Sequence, residues 1–133
     1  MTGVDIVGEL LNSDEALIAA IPGVQIKAGA LPDGVDLPTL LVRMTSNVER
    51  QMLKRGPTVR TMERISVTVR AESYRDQVTA MKLVVKACAG RTGSIAGADN
   101  VSVLTAGRGP DLRGPGNSYE QTQDFRVSFD AAA

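Results

Sequence analysis

Three groups of residues in this 133-residue chain have types that could do chemistry. Cys88 could act as a thiolate nucleophile. Gly90-Arg91-Thr92-Gly93-Ser94 and Gly107-Arg108-Gly109-Pro110 have the glycine and cation content of a phosphate cradle. The carboxylates Asp5, Glu9, Asp14 and Glu15 could gather around a cation. Each group lacks a partner that its chemistry needs. Cys88 falls on the apolar stripe of a helix, with no helix N-terminus nearby and no histidine anywhere in the chain to lower its pKa. A small buried core residue is the expectation there. Neither glycine segment has the G-x-x-x-x-G-K-[ST] spacing, and the first follows a helix, whereas a phosphate loop lies between a strand and the next helix. Both read as turns. The four carboxylates lack Asp-x-Asp-x-Asp-Gly spacing and suit a solvated helix surface favoured by the helix dipole.

The zero histidine count removes the commonest general base and the commonest metal ligand together. Paired carboxylates and lysine nucleophiles stay formally open, but each needs a cleft. The expectation is therefore a chain that is not an enzyme, holds no cofactor or metal, and works through its surfaces. With 15 Lys+Arg against 15 Asp+Glu, it lacks the basic excess of a sequence-independent DNA binder. Aromatic residues make up 3% and there is no Trp, so stacking platforms for single strands are scarce and the core must be built from Val, Leu, Ile, Met and Ala. One cysteine excludes an intramolecular disulfide. No signal peptide is visible at the N-terminus, and no apolar run approaches the roughly 20 residues that span a bilayer.

Charge is unevenly placed. Residues 1–23 carry Asp5, Glu9, Asp14 and Glu15 and no Lys or Arg, a formal −4. Residues 48–64 carry Arg50, Lys54, Arg55, Arg60 and Arg64 against Glu49 and Glu63, a formal +3. Such a pattern is either two solvated surfaces or two complementary patches that meet between copies of the chain.

The elements that must position these groups follow from periodicity. Val4, Ile6, Val7, Leu10 and Leu11, then Leu17, Ile18 and Ile21, recur at helical spacing. Asn12 or Ser13 breaks the run, and Pro22-Gly23 ends it, which predicts two short helices or one broken helix. A Gly/Pro loop spans 22–38, with a short extended piece at Val24–Lys27. Thr39–Thr45 reads as a strand. Arg64–Arg70 alternates strictly, with Ile65, Val67, Val69 and Ala71 on one face and Arg64, Ser66, Thr68 and Arg70 on the other. Between them, Asn47–Thr61 turns at Gly56-Pro57, which predicts a long antiparallel hairpin with a projecting tip. Ser73 caps a helix over Tyr74–Ala89, stopped by Gly90. Strands follow at Val101–Thr105 and Tyr119–Asp130, and Ala131–Ala133 is expected to fray. The order α–β–β–α–β–β predicts one α+β domain over 1–133, a two-layer sandwich with a four-stranded antiparallel sheet and its helices on one face.

From about Ile6 to Phe129 these landmarks resemble the tail-completion, or tail-terminator, proteins of long-tailed bacteriophages, prophages and gene transfer agents. The residues that carry the resemblance are Asp14-Glu15-Ala16-Leu17, Pro22-Gly23, Leu37-Pro38 and Thr39-Leu40-Leu41-Val42-Arg43. They continue with the Ile65–Ala71 strand, Ser73-Tyr74 and Asp124-Phe125-Arg126-Val127-Ser128-Phe129. The resemblance implies a virion protein that assembles in the host cytoplasm as a homo-oligomeric ring, usually a hexamer. The ring sits on the tail tube, halts its polymerisation and offers a docking surface to the head–tail connector. Genome DNA passes through its lumen, and neither a catalytic residue nor a membrane is involved. In that setting Arg50, Lys54, Arg55, Arg60, Arg64, Asp5, Glu9, Asp14 and Glu15 are the candidate contacts to neighbouring subunits, tube or connector. Two other readings stand beside it. One is a different neck component, such as a head–tail adaptor or minor tail protein. The other is a small ligand-binding regulatory domain that uses Arg91 in the Gly90–Gly93 turn to hold a phosphate.

Overall fold

Strand β3 (Thr58–Ala71) runs through the middle of the molecule, and its alternation decides what each side of the sheet becomes. Ile65, Val67, Val69 and Ala71 are fully buried beneath the helices, and Arg64 on the opposite face is exposed. On one side β3 pairs antiparallel with β2 (Thr39–Arg50), and on the other with β7 (Tyr119–Ala132). Phe125, Val127 and Phe129 extend the apolar face across β7. The structure is a computed structural model that describes residues 2–31 and 36–133.

Three helices cover that face, and each begins on a side chain that satisfies otherwise unpaired N–H groups. In α1 (Gly3–Ser13), Thr2 and Asp5 form a reciprocal capping box. Asp14 accepts from the Leu17 N–H at the start of α2 (Glu15–Ala20), and Ser73 accepts from the Asp76 N–H at the start of α3 (Tyr74–Cys88). Their inward residues, among them Ile6, Leu11, Leu17, Ile21, Met81 and Val84, join the strands in one apolar cluster. Leu17 and Ile21 are four apart and bridge α2 into that cluster, so a helix of six residues survives by packing and not by propensity.

The expected α–β–β–α–β–β order, with its helices on one face of the sheet, holds only in outline. Among the described residues the sheet has seven strands, not four, and it is mixed, not purely antiparallel. Along its path the order is β1-β2-β3-β7-β5-β4, with β6 beside β7. Strand β1 (Ile26–Ala28) follows a 3₁₀ turn at Gly23–Gln25 and lies parallel to β2. Pro32 and Gly34 of that loop lie outside the described residues. The stretch after α3, read as a turn, is strand β4 (Thr92–Ile95), which forms a hairpin with β5 (Ala98–Arg108). Ala96 and Gly97 both have positive φ, 52° and 79°, the requirement of a two-residue type I′ turn. Strand β6 (Leu112–Arg113) is a two-residue addition.

The chain end departs from expectation as well. Ala131 and Ala132 do not fray; they pair with Val59 and Thr58, and the Ala133 N–H donates to the Pro57 carbonyl at 3.0 Å. The β2–β3 hairpin is thereby backed along its length by β7, and only the turn at 51–57 extends past its strands.

A buried carboxylate ties the hairpin to the helical layer. Glu63 lies on the inner face of β3 at 6% exposure. It accepts from the Gly3 N–H at 2.6 Å and from Asn47 Nδ2 at 2.7 Å. The first turn of α1, where the helix dipole favours negative charge, thus sits on a fixed anion. A Cβ at position 3 would come within 2.7 Å of Glu63 Oε1 and 2.8 Å of Ile65 Cδ1, so only glycine allows this approach.

Candidate functional site

The groups singled out for chemistry are placed where chemistry is difficult. Cys88 is fully buried, and burial pushes its thiol up to about 12, with the Arg91 charge a smaller opposing influence. At neutral pH it is a thiol with no access to reagent. Native protein is expected to show no reaction with an aromatic disulfide reagent over minutes, and one equivalent per chain after denaturation. Rapid labelling of folded protein would place Cys88 at the surface. Arg91 donates through Nε to the Ala87 carbonyl at 3.1 Å and through an Nη to the Lys86 carbonyl at 3.3 Å. It therefore satisfies the C-terminal carbonyls of α3, and the adjoining Thr92–Ile95 is strand. The phosphate-binding reading loses its cation and its loop together. Among the described residues no three His, Cys, Asp or Glu side chains gather in a metal-binding group.

The outer face of the sheet carries a ladder of ion pairs across β3 and β7. Arg60 meets Asp130 at 3.2 Å, Arg64 meets Asp124 at 2.8 Å, and Arg70 meets Glu120. Between them Ser66 donates to Asp124, and Thr68 and Thr122 share a hydrogen bond. Asp130 is held below its usual pKa by the Asn100 amide, against some desolvation and with help from Arg60. Half-exposed pairs of this kind contribute about 0–1 kcal/mol each, so their main effect is to specify the β3–β7 register. Arg60 and Arg64 also donate to the carbonyls of Asn100 and Ala106. Two of the five candidate cations are consequently engaged inside the subunit.

Arg50, Lys54 and Arg55 stand at the far end of the hairpin, all exposed. The turn between them and β3 presents apolar surface beside this charge: Met52 is 67% exposed and Leu53 fully so. An open cleft of about 420 Å³ runs between this turn and the C-terminal alanines of β7. Further along the outer face, Val48 and Met62 are direct cross-strand partners and flank a hollow of about 320 Å³ near Ser128.

The four acids fall into two kinds. Asp5 and Asp14 are helix caps, whereas Glu9 and Glu15 are exposed. An 11-residue helix is about 16 Å long, so the acids are strung along α1 and α2 and form no cation cage. Helix α1 starts against Glu63 and runs down toward β1, where Val4, Gly8 and Asn12 line a hollow with Ile26 and Val42. Helix α2 ends near Pro38, at the root of β2. Helix α2 and the basic turn therefore lie at opposite ends of β2, whereas the first turn of α1 sits at the level of Asn47, much nearer the turn.

One cluster has no counterpart in the sequence reading. The Tyr74 hydroxyl donates to Asp111, which also accepts from the buried Gln77 amide. Tyr74 packs edge-on against Tyr119, over which the Arg113 guanidinium lies at 4.1 Å. These contacts clasp the 107–117 segment to the start of α3. No local pattern in the sequence joins Tyr74 to Tyr119, which only the fold brings together.

No family model matches the sequence, and no curated protein does. Solved structures do match in shape. A chain from the virion of a native gene transfer agent (GTA) particle superposes with a TM-score of 0.72 at 13% identity, over 96% of this chain and 94% of that one. The two chains share a fold from end to end.

Proposed function

We propose that this chain is a structural subunit of a tailed-phage or gene-transfer-agent particle, and that it acts as the tail terminator. Copies form a closed ring, usually of six, on the last layer of the tail tube. The ring stops tube growth and presents its other side to the head–tail connector, while DNA passes through the lumen. Assembly takes place in the host cytoplasm and ends in the virion. The observation that carries this reading is the end-to-end match with a chain of a gene transfer agent virion, with little sequence left unmatched in either. A match over a fraction of either chain would suit a shared module; a match over nearly all of both suits a shared building block.

The surfaces support it. The basic turn and the acidic helices are two different patches on one subunit, and a heterologous, head-to-tail ring uses two different patches. A thiol held at about 12 and an arginine spent on helix carbonyls leave the notable residues in structural roles. A second reading, a head–tail adaptor or minor tail protein, draws on the same match.

Electron cryo-microscopy of purified particles tests the placement. This fold is expected as a ring between the tail tube and the head connector. Its absence from the neck, or its presence only at the distal tip of the tail, would overturn the proposal.

A further inference from the structure

A charge already engaged inside its own subunit contributes little to recognising another. Arg60 and Arg64 are bound to Asp130 and Asp124 and to backbone carbonyls, while Asp5 accepts the Thr2 N–H and Asp14 the Leu17 N–H. What remains of the two patches is Arg50, Lys54 and Arg55 at the hairpin turn and Glu9 and Glu15 on the helices. Among the described residues these five form no ion pair. The hairpin is backed by β7 to its end, and α2 ends at the root of β2, away from the turn. The free cations and free anions of one chain do not pair with each other among the described residues.

They can meet between chains. We propose that the 51–57 turn of one copy docks on the Glu9–Glu15 side of α1 and α2 of a second copy. Lys54 and Arg55 face Glu9 and Glu15, and Leu53 is covered against the small exposed residues Ala16 and Ala19 of α2. Charge complementarity selects this occupant: residues 2–23 hold acids and no Lys or Arg, while the turn and its flanks are predominantly basic. The exposed Met52 and Leu53 supply the apolar centre that a contact needs inside its charged rim. Because the two patches differ, each copy uses both, and the contact repeats from copy to copy around a ring. The inference rests on the reading of the chain as a ring subunit and names the surface through which the ring closes.

A charge exchange tests it. Three full-length variants are compared for the amount of chain held in purified particle necks: Lys54→Glu with Arg55→Glu, Glu9→Lys with Glu15→Lys, and all four together. Each pair alone is expected to lower incorporation by about tenfold or more, because like charges then face each other. The fourfold variant is expected to regain most of the loss, which a folding defect could not do. In a second measurement, Leu53→Cys with Glu15→Cys is expected to give disulfide-linked oligomers within the neck, with buried Cys88 taking no part. Pairs that incorporate normally, a fourfold variant as poor as either pair, or the absence of cross-links in necks that contain the chain would overturn this contact and leave the ring standing. A turn that instead cross-links to tube or connector protein would also overturn it. Absence of the wild-type chain from necks would remove the ring itself.

Discussion

Phe125→Ala is expected to cost about 3–5 kcal/mol of folding stability, the usual range for removing a fully buried phenyl ring. Phe125 and Phe129 are the only two phenylalanines, and both sit on the inner face of β7 with at most 1% exposure. Phe125 is paired with Ile65 on one side and Thr105 on the other, so the ring lies at the centre of the sheet beneath the helices. A core otherwise made of Val, Leu, Ile, Met and Ala has no second large side chain placed to close the void. Against a typical total of about 5–15 kcal/mol, this loss removes a large share of the stability. Denaturant titration should show a lower midpoint with an unchanged slope, and Phe125→Leu should recover more than half of the deficit. A loss under about 1 kcal/mol for the alanine variant would mean that β7 does not occupy the core.

Glu63→Ala is expected to cost about 2–3 kcal/mol, because a charged acceptor is removed from the buried Gly3 N–H and from the Asn47 amide at once. The Gly3 N–H and the Asn47 amide lose their partner, and the first turn of α1 loses the anion at its positive end. Glu63→Gln keeps one acceptor oxygen and should cost about half as much. The signature that separates this from simple core damage is local. Amide exchange in the first turn of α1 should accelerate in both variants, while α3, which does not touch Glu63, stays protected. Equal acceleration in α1 and α3 would show that the carboxylate is not a specific tie between helix and hairpin.

Much of this fold could be read from residue order, and the reason lies in how each feature is encoded. The Ile65–Val69 alternation, the Ser73 cap and the Phe125–Phe129 strand are local signals, and they stand where periodicity puts them. Glu63 was on the page too: extending the alternation back from Ile65 places it on the buried face. Its partner, however, is a backbone N–H sixty positions away. Strand β4 escaped because it contains a glycine and turns on Ala96-Gly97, where Asn-Gly is the usual type I′ pair. Strand β1 escaped because a three-residue parallel strand has too little length for a period to show. The neutralisation of Arg60 and Arg64 depends on the register between β3 and β7, which no local pattern contains. The positions of the free charges became legible only after those internal pairs were subtracted.

The central claim is that this chain ends tail growth, and tail length measures that function directly. Cells that produce the particle without this chain should accumulate tails of variable, excessive length that carry no heads, and supplying the chain in trans should restore uniform tails joined to heads. Tails of normal length that merely fail to join heads would contradict the account and assign the chain to an adaptor role in the neck.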